Sequence, residues 1–283
     1  MNFFKFIKSI QDRAHSLRFF VSPWGVEISE CINDNRVSVY ASMRAKVFGA
    51  TYYCTGPVAV AFSPVNLNRF LKSQQQRDRV TFSFNHKKPA TMKIEIMSQG
   101  EEDHVFRFDM PLHLVNLERY DATAMQVKYF MKFDDQSTLK TFLSGVAGLD
   151  SSNRRIKIKA SAEDVSFYHT NDIVKLRCTV SRKREIVPED NASMSRVSQE
   201  FKIDDFEQVL KCLVVTSGCI IMYMSPDRPL VFEVKIGTLG TLRIALLFLE
   251  PEAGPEEDSG SDDEMGFAER AIEMAMRAMK EQQ

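Results

Sequence analysis

The stretch NLNRFLKSQQQRDRVTFSF, residues 66–84, changes its period halfway along. Leu67, Phe70 and Leu71 fall three and four residues apart, which makes one helix face, and Arg69, Lys72 and Gln76 fall on the other. From Arg79 the period is two. Val80, Phe82 and Phe84 alternate with Arg79, Thr81 and Ser83, the pattern of a half-buried strand. The segment predicts a short helix, basic on its exposed face, joined at once to a strand.

The same join recurs. FFKFIKSI begins at Phe3, LNRFLKSQ at Leu67, LKTFLSGV at Leu139 and FEQVLKCL at Phe206. Each places an apolar residue first, an aromatic or Val three later and Ile or Leu four later. Helix-start residues precede three of them: Ser63-Pro64, Asp134-Asp135-Gln136 and Asp204-Asp205. Each is followed by a strand-like run: SLRFFVS, RVTFSF, RRIKIKA and CIIMYMS. Between the helices lie only further strand-like pieces, such as WGVEISEC, NRVSVYASM, TMKIEIMS, DVSFYHT, LVFEVKIG and TLRIALLFL, several of them separated by Gly, Asn-Asp or Pro-Asp turns. Four repeats of a helix followed by antiparallel strands predict an α+β protein with its helices on one side of extended sheets. Two repeats per domain give a first domain over 1–111, a connector over 112–124 and a second domain over 125–250, followed by a tail over 251–283.

A helix laid on a sheet buries one stripe and shows the other. The shown stripes carry Lys5, Lys8 and Arg13; Arg69, Lys72 and Arg77; Lys140; and Lys211. One such stripe is an ordinary solvated face, but its fourfold recurrence points to a common phosphate backbone. Total charge is −1, yet it divides unevenly: residues 1–249 hold 34 basic and 27 acidic side chains, net +7, while 250–283 hold 11 acidic against 3 basic. A mildly basic body suits a polyanionic partner.

Other chemistry is not signalled. The five cysteines (31, 54, 178, 212 and 219) contain no C-x-x-C and are expected to be buried, reduced thiols. The five histidines (15, 86, 104, 113 and 169) are scattered, with no H-E-x-x-H and no Cys/His ligand spacing. There is no G-x-S-x-G, no phosphate-binding P-loop and no G-x-G-x-x-G. No catalytic residue, cofactor or metal is expected. No apolar run is long enough for a membrane span, and the charged start MNFFKFIKSIQDRAH does not read as a secretory signal.

The fourfold plan with a central linker resembles the DNA sliding-clamp superfamily, which includes PCNA. SECINDNRVSVYASM resembles a clamp hairpin with its short polar turn, and SPDRPLVFEVKIGTLGTLRIAL resembles the final clamp hairpin, with Pro229 and Gly240 in matching places. Within the superfamily the likeness is to the Hus-one subunits of the heterotrimeric nine-one-one checkpoint clamp. Asn66, Leu67, Arg69, Leu71, Lys72, Asn85 and Pro89 carry it in NLNRFLKSQQQRDRVTFSFNHKKPATMKIEI, and Pro111 in FDMPLHLV. DVSFYHTNDIVKLRCTVSRK and EFKIDDFEQVLKCL extend it, so that it covers roughly 3–249.

The resemblance implies a non-enzymatic subunit of a three-membered ring. Its helices would line a hole around duplex DNA and contact phosphates without reading sequence. It also implies two other ring subunits, a loader, a nuclear location, and repair or checkpoint partners held in a groove at Ile32, Arg36, Val39, Leu114, Val115, Leu117 and Pro229. A homotrimeric, PCNA-like replication clamp is the alternative. The sequence departs from the family in two places: clamps usually begin with a strand before the first helix, and the tail has no clamp counterpart. SRKRE, 181–185, reads as a loop or strand end more readily than as a nuclear-import patch. Within the tail, 254–264 is acidic and without apolar residues, which predicts disorder. Phe267, Ala271, Met274 or Ala275, and Ala278 then recur at three and four, with Ile272, Met276 and Met279 as a neighbouring stripe, which predicts a docking helix.

Overall fold

The computed structural model describes residues 2–11, 14–32, 34–72, 78–85, 87–98, 104–116, 129–133, 136–147, 154–161, 164–170, 175–181, 197–214 and 216–249. The predicted tail and most of the connector lie outside these residues. The protein is α+β, with its sheets antiparallel.

The helices fall where the three-and-four spacing placed them: α1 at Asn2–Ile10, α2 at Pro64–Leu71, α3 at Gln136–Ala147 and α4 at Ile203–Val214. Ser63 caps α2 by accepting the Asn66 amide, with Pro64 in the first turn, where a missing N–H costs nothing. The strands of the first half are β1 (Leu17–Ser22), β2 (Gly25–Ile32), β3 (Val37–Arg44), β4 (Val58–Phe62), β5 (Arg79–Phe84), β6 (Thr91–Met97), β7 (Val105–Pro111) and β8 (His113–Leu114). Those of the second are β9 (Tyr129–Phe133), β10 (Arg155–Ala160), β11 (Asp164–Thr170), β12 (Lys175–Ser181), β13 (Val197–Lys202), β14 (Ser217–Ser225), β15 (Arg228–Ile236) and β16 (Gly240–Leu246).

The two halves repeat one plan. After α1 the chain forms the meander β1-β2-β3, returns as β4 beside β1, enters α2 and forms the meander β5-β6-β7. After α3 it forms β10-β11-β12, returns as β13 beside β10, enters α4 and forms β14-β15-β16. Each half then sends a short piece back to its return strand: β8 pairs with β4, and Leu249 bridges to Glu200 on β13. The repeat reaches single side chains. Thr81, Glu95 and Arg107 lie in a row across β5-β6-β7, and Ile221, Glu233 and Arg243 lie in the corresponding row across β14-β15-β16. In both rows the Arg Nε donates to the Glu, at 2.9 and 2.7 Å.

A nine-stranded sheet, ordered β8-β4-β1-β2-β3-β16-β15-β14-β9, is shared by both halves. They meet where β3 pairs antiparallel with β16, from Val37↔Leu246 to Met43↔Gly240. A β-carbon on Gly240 would lie 1.9 Å from the Ser42 carbonyl oxygen, so the joint requires glycine there. The β2–β3 turn, with Asp34 at φ 53° and Asn35 at φ 63°, aims Arg36 across the same joint. Its Nε donates to Asp205 on α4 at 3.1 Å and its Nη2 to the Leu247 carbonyl at 3.2 Å, while the Leu247 amide donates to the Arg36 carbonyl. The smaller sheets are β12-β11-β10-β13 and β5-β6-β7.

The helices form one contiguous layer in the order α2-α1-α4-α3, each touching the next. Phe6, Ile7 and Ile10 of α1, Leu67 and Leu71 of α2, Leu139 of α3, and Phe206, Val209 and Leu213 of α4 are buried in a core continuous with the inner faces of the strands. Full burial of each such side chain stabilises by about 1.5–3 kcal/mol. The Gln208 side chain donates to the Ser9 carbonyl at 2.9 Å and so ties α4 to α1.

The cysteine expectation needs correction. Cys212 is buried, but Cys31 is exposed and Cys54, Cys178 and Cys219 are half-buried. Cys31 lies on β2, and its neighbours Ile28 and Ile32 take the core positions instead.

Candidate nucleic-acid interface

The outer stripe of the helix layer is basic. Lys5 and Lys8 on α1, Arg69 and Lys72 at the end of α2, and Lys211 on α4 are exposed, and Lys140 on α3 is half-buried. None of the six has an ion pair among the described residues. No Asp or Glu occurs in α1, α2 or α3. Helix α4 opens with acids, but these are engaged: Arg154 donates to Asp204 and Glu207 at 2.8 Å, and Asp205 is held by Arg36. Four helices in one layer thus present unneutralised cations, which attract a polyanion without selecting its sequence. Arg13 and Arg77 lie outside the described residues.

The residues expected to form a partner groove do not share one surface. Ile32 and Val39 are 2% exposed and sit in the core. They are the inward members of β2 and β3, so the alternation that marks them as apolar also turns them from solvent. Arg36 is occupied at the joint. Leu114 on β8 is 69% exposed, Val115 beside it is half-buried, and Pro229 at the start of β15 is half-buried. Leu117 lies outside the described residues.

Sequence reading missed three exposed aromatics. Trp24 and Tyr53 are each 85% exposed and Phe106 is 52% exposed. Trp24 tips the β1–β2 hairpin. Tyr53 follows a short 3-10 helix at Ala45–Thr51, whose end is fixed by the Tyr52 hydroxyl lying 2.6 Å from the Ser22 carbonyl and 2.8 Å from that of Gly25. Burial pushes the Tyr52 phenol up to about 12, keeping it a neutral donor. Phe106 has a readable signal: its repeat equivalent on β16, Leu242, is fully buried.

Titratable groups elsewhere serve the fold. Burial pushes the Cys212 thiol up to about 11, which keeps it protonated and unreactive between α4 and Ser9 of α1. Burial also raises the Glu30 carboxyl, against opposing contributions from Arg18, the Cys31 amide and Ser16. Gln199 donates to the carbonyls of Ser225, Pro226 and Arg228, and so binds β13 to the β14–β15 turn. Among the described residues no three metal-binding side chains converge, and no helix is long and apolar enough to cross a membrane.

Compared with known proteins, the chain matches no family model and no curated protein significantly.

Proposed function

We propose that the chain is a non-enzymatic subunit of a ring-shaped DNA sliding clamp. It would encircle duplex DNA in a nucleus and, as one of three different subunits of the checkpoint kind, recruit checkpoint and repair factors. The observation that carries the reading is the β3–β16 joint. It links the last strand of the first meander to the last strand of the final meander. The repeat puts β12 and β7 in those same positions, and among the described residues both are sheet edges. Pairing β12 of one subunit with β7 of the next would reuse the joint between chains and remove both edges from solvent. Each added subunit would bring its helix row to the same side, so the cations of α1–α4 would line the hole. Phosphate contacts of this kind hold DNA and still permit sliding. A separate loader would open the ring.

Replacing Lys5, Lys8, Arg69, Lys72 and Lys140 together by Ala tests the interface. Loading on DNA is expected to weaken most at low salt, and the slope of log affinity against log salt to flatten by roughly 4 units for five lost contacts. An unchanged slope in a folded variant would remove DNA from the helix face.

A further inference from the structure

The outer face of the β12-β11-β10-β13 sheet is a second basic surface, separate from the helix row. Strand β10 alternates strictly: Ile156, Ile158 and Ala160 enter the core, while Arg155, Lys157 and Lys159 are exposed. Lys202 on β13, and Lys175 and Arg177 on β12, are exposed on the same face. Tyr168 of β11 lies among them. The Lys159 ammonium is 5.2 Å from its ring centroid and the Arg177 guanidinium 5.3 Å, so one ring holds two cations. Two carboxylates share the face among the described residues, and both are engaged: Lys157 donates to Glu200 at 2.9 Å, and the Ser161 hydroxyl donates to Asp164 at 2.6 Å. Lys159, Lys175, Arg177 and Lys202 have no ion pair among the described residues.

We propose that this face is covered by the acidic segment 256–264 of the same chain, EEDSGSDDE. Two observations select that occupant. The first is where the described residues end. The Leu249 amide donates to the Glu200 carbonyl at 2.6 Å and bridges the chain to β13. Glu200, Lys157, Tyr168 and Arg177 form one row across the sheet, so the chain passes the sheet edge at the row that holds the aromatic ring. Glu256 is seven residues beyond Leu249, a reach of about 23 Å when extended. From Leu249 across to β12 is four strand spacings, roughly 19 Å. The second observation is charge. Residues 256–264 hold six acidic side chains and no basic one, and a tether this short presents them at an effective concentration on the order of millimolar. A dilute polyanion in solution competes poorly with that. The acids would pair with the cations around Tyr168 and leave the helix row as the main exposed basic surface. The inference uses neither the ring nor DNA, so it stands or falls independently of the proposed function.

The test is carbodiimide cross-linking of the full chain at low salt, which joins carboxylates to lysine amines in contact, read by peptide mass spectrometry of the monomer. Links from 256–264 are expected at Lys157, Lys159, Lys175 and Lys202, and not at Lys5, Lys8 or Lys72 of the helix row. Salt at about 1 M, where the screening length is roughly 3 Å, should remove most of them. Lys159→Glu with Lys202→Glu, both at exposed positions, should cut the links at Lys157 and Lys175 about fivefold. Absence of links to the sheet, an even spread over sheet and helix lysines, or links that the double variant leaves unchanged would each overturn the proposal. Links confined to cross-linked dimers would make a second copy the occupant. Loss of single-stranded oligonucleotide binding by the full chain carrying the same double substitution would make nucleic acid the occupant instead.

Discussion

At the scale of the residue, the decisive contact is between Arg36 and Asp205. Asp205 is 1% exposed and Arg36 is its partner across the joint of the two halves. Removing the cation leaves a buried carboxylate without it, so Arg36→Ala is expected to cost about 3 kcal/mol in chemical denaturation. Arg36→Ala with Asp205→Asn together should cost less than the sum. Glu30 makes a prediction in pH. Its carboxyl is raised in the fold chiefly by burial, so folding favours the protonated form. The charged form costs stability above the folded pKa, and that cost vanishes as pH falls below the unfolded value. Glu30→Gln should therefore raise the melting temperature at neutral pH and lose that advantage in acid. Thiol labelling separates Cys31 from Cys212: the first should react in the native protein, the second only on unfolding.

At the scale of the element, periodicity carried most of the fold. Helices with three-and-four spacing and strands with strict alternation, such as Arg79–Phe84 and Arg155–Ala160, lie where the pattern put them. What escaped had no period to read. β4, VAVAF, is buried at all five positions and so alternates nothing. The 3-10 helix at Ala45–Thr51 is too short for a stripe, and its Gly49 is at φ 66°. The pairing of Arg36 with Asp205 joins residues 169 apart in sequence and leaves no local mark. Nor does alternation tell an edge strand from an inner one, which is why β5 and β14 read alike and pack differently. Truncation measures that difference. Met222→Ala, at a fully buried position, should cost about 3 kcal/mol, and Phe82→Ala, at a half-buried one, clearly less despite the larger ring.

At the scale of the whole molecule, one joint makes two halves into one body, and its glycine is the place to break it. Gly240→Ala forces β16 away from the Ser42 carbonyl of β3. It is expected to cost at least about 2 kcal/mol and to raise exchange at β3 and β16 before other strands. The candidate site was legible as a charge pattern, because basic residues on helix faces show in sequence. The groove was not, because Ile32 and Val39 look the same in sequence whether their strand face is buried or open. The central claim is that the chain closes around DNA with two further subunits. The most direct measurement recovers the tagged chain from nuclear extract on plasmid DNA and then cuts the plasmid. The ring account predicts an assembly of this chain with two different partners, retained on closed circular DNA through a high-salt wash and released when the circle is opened. Equal retention on circular and linear DNA, or no retention on either, would contradict it.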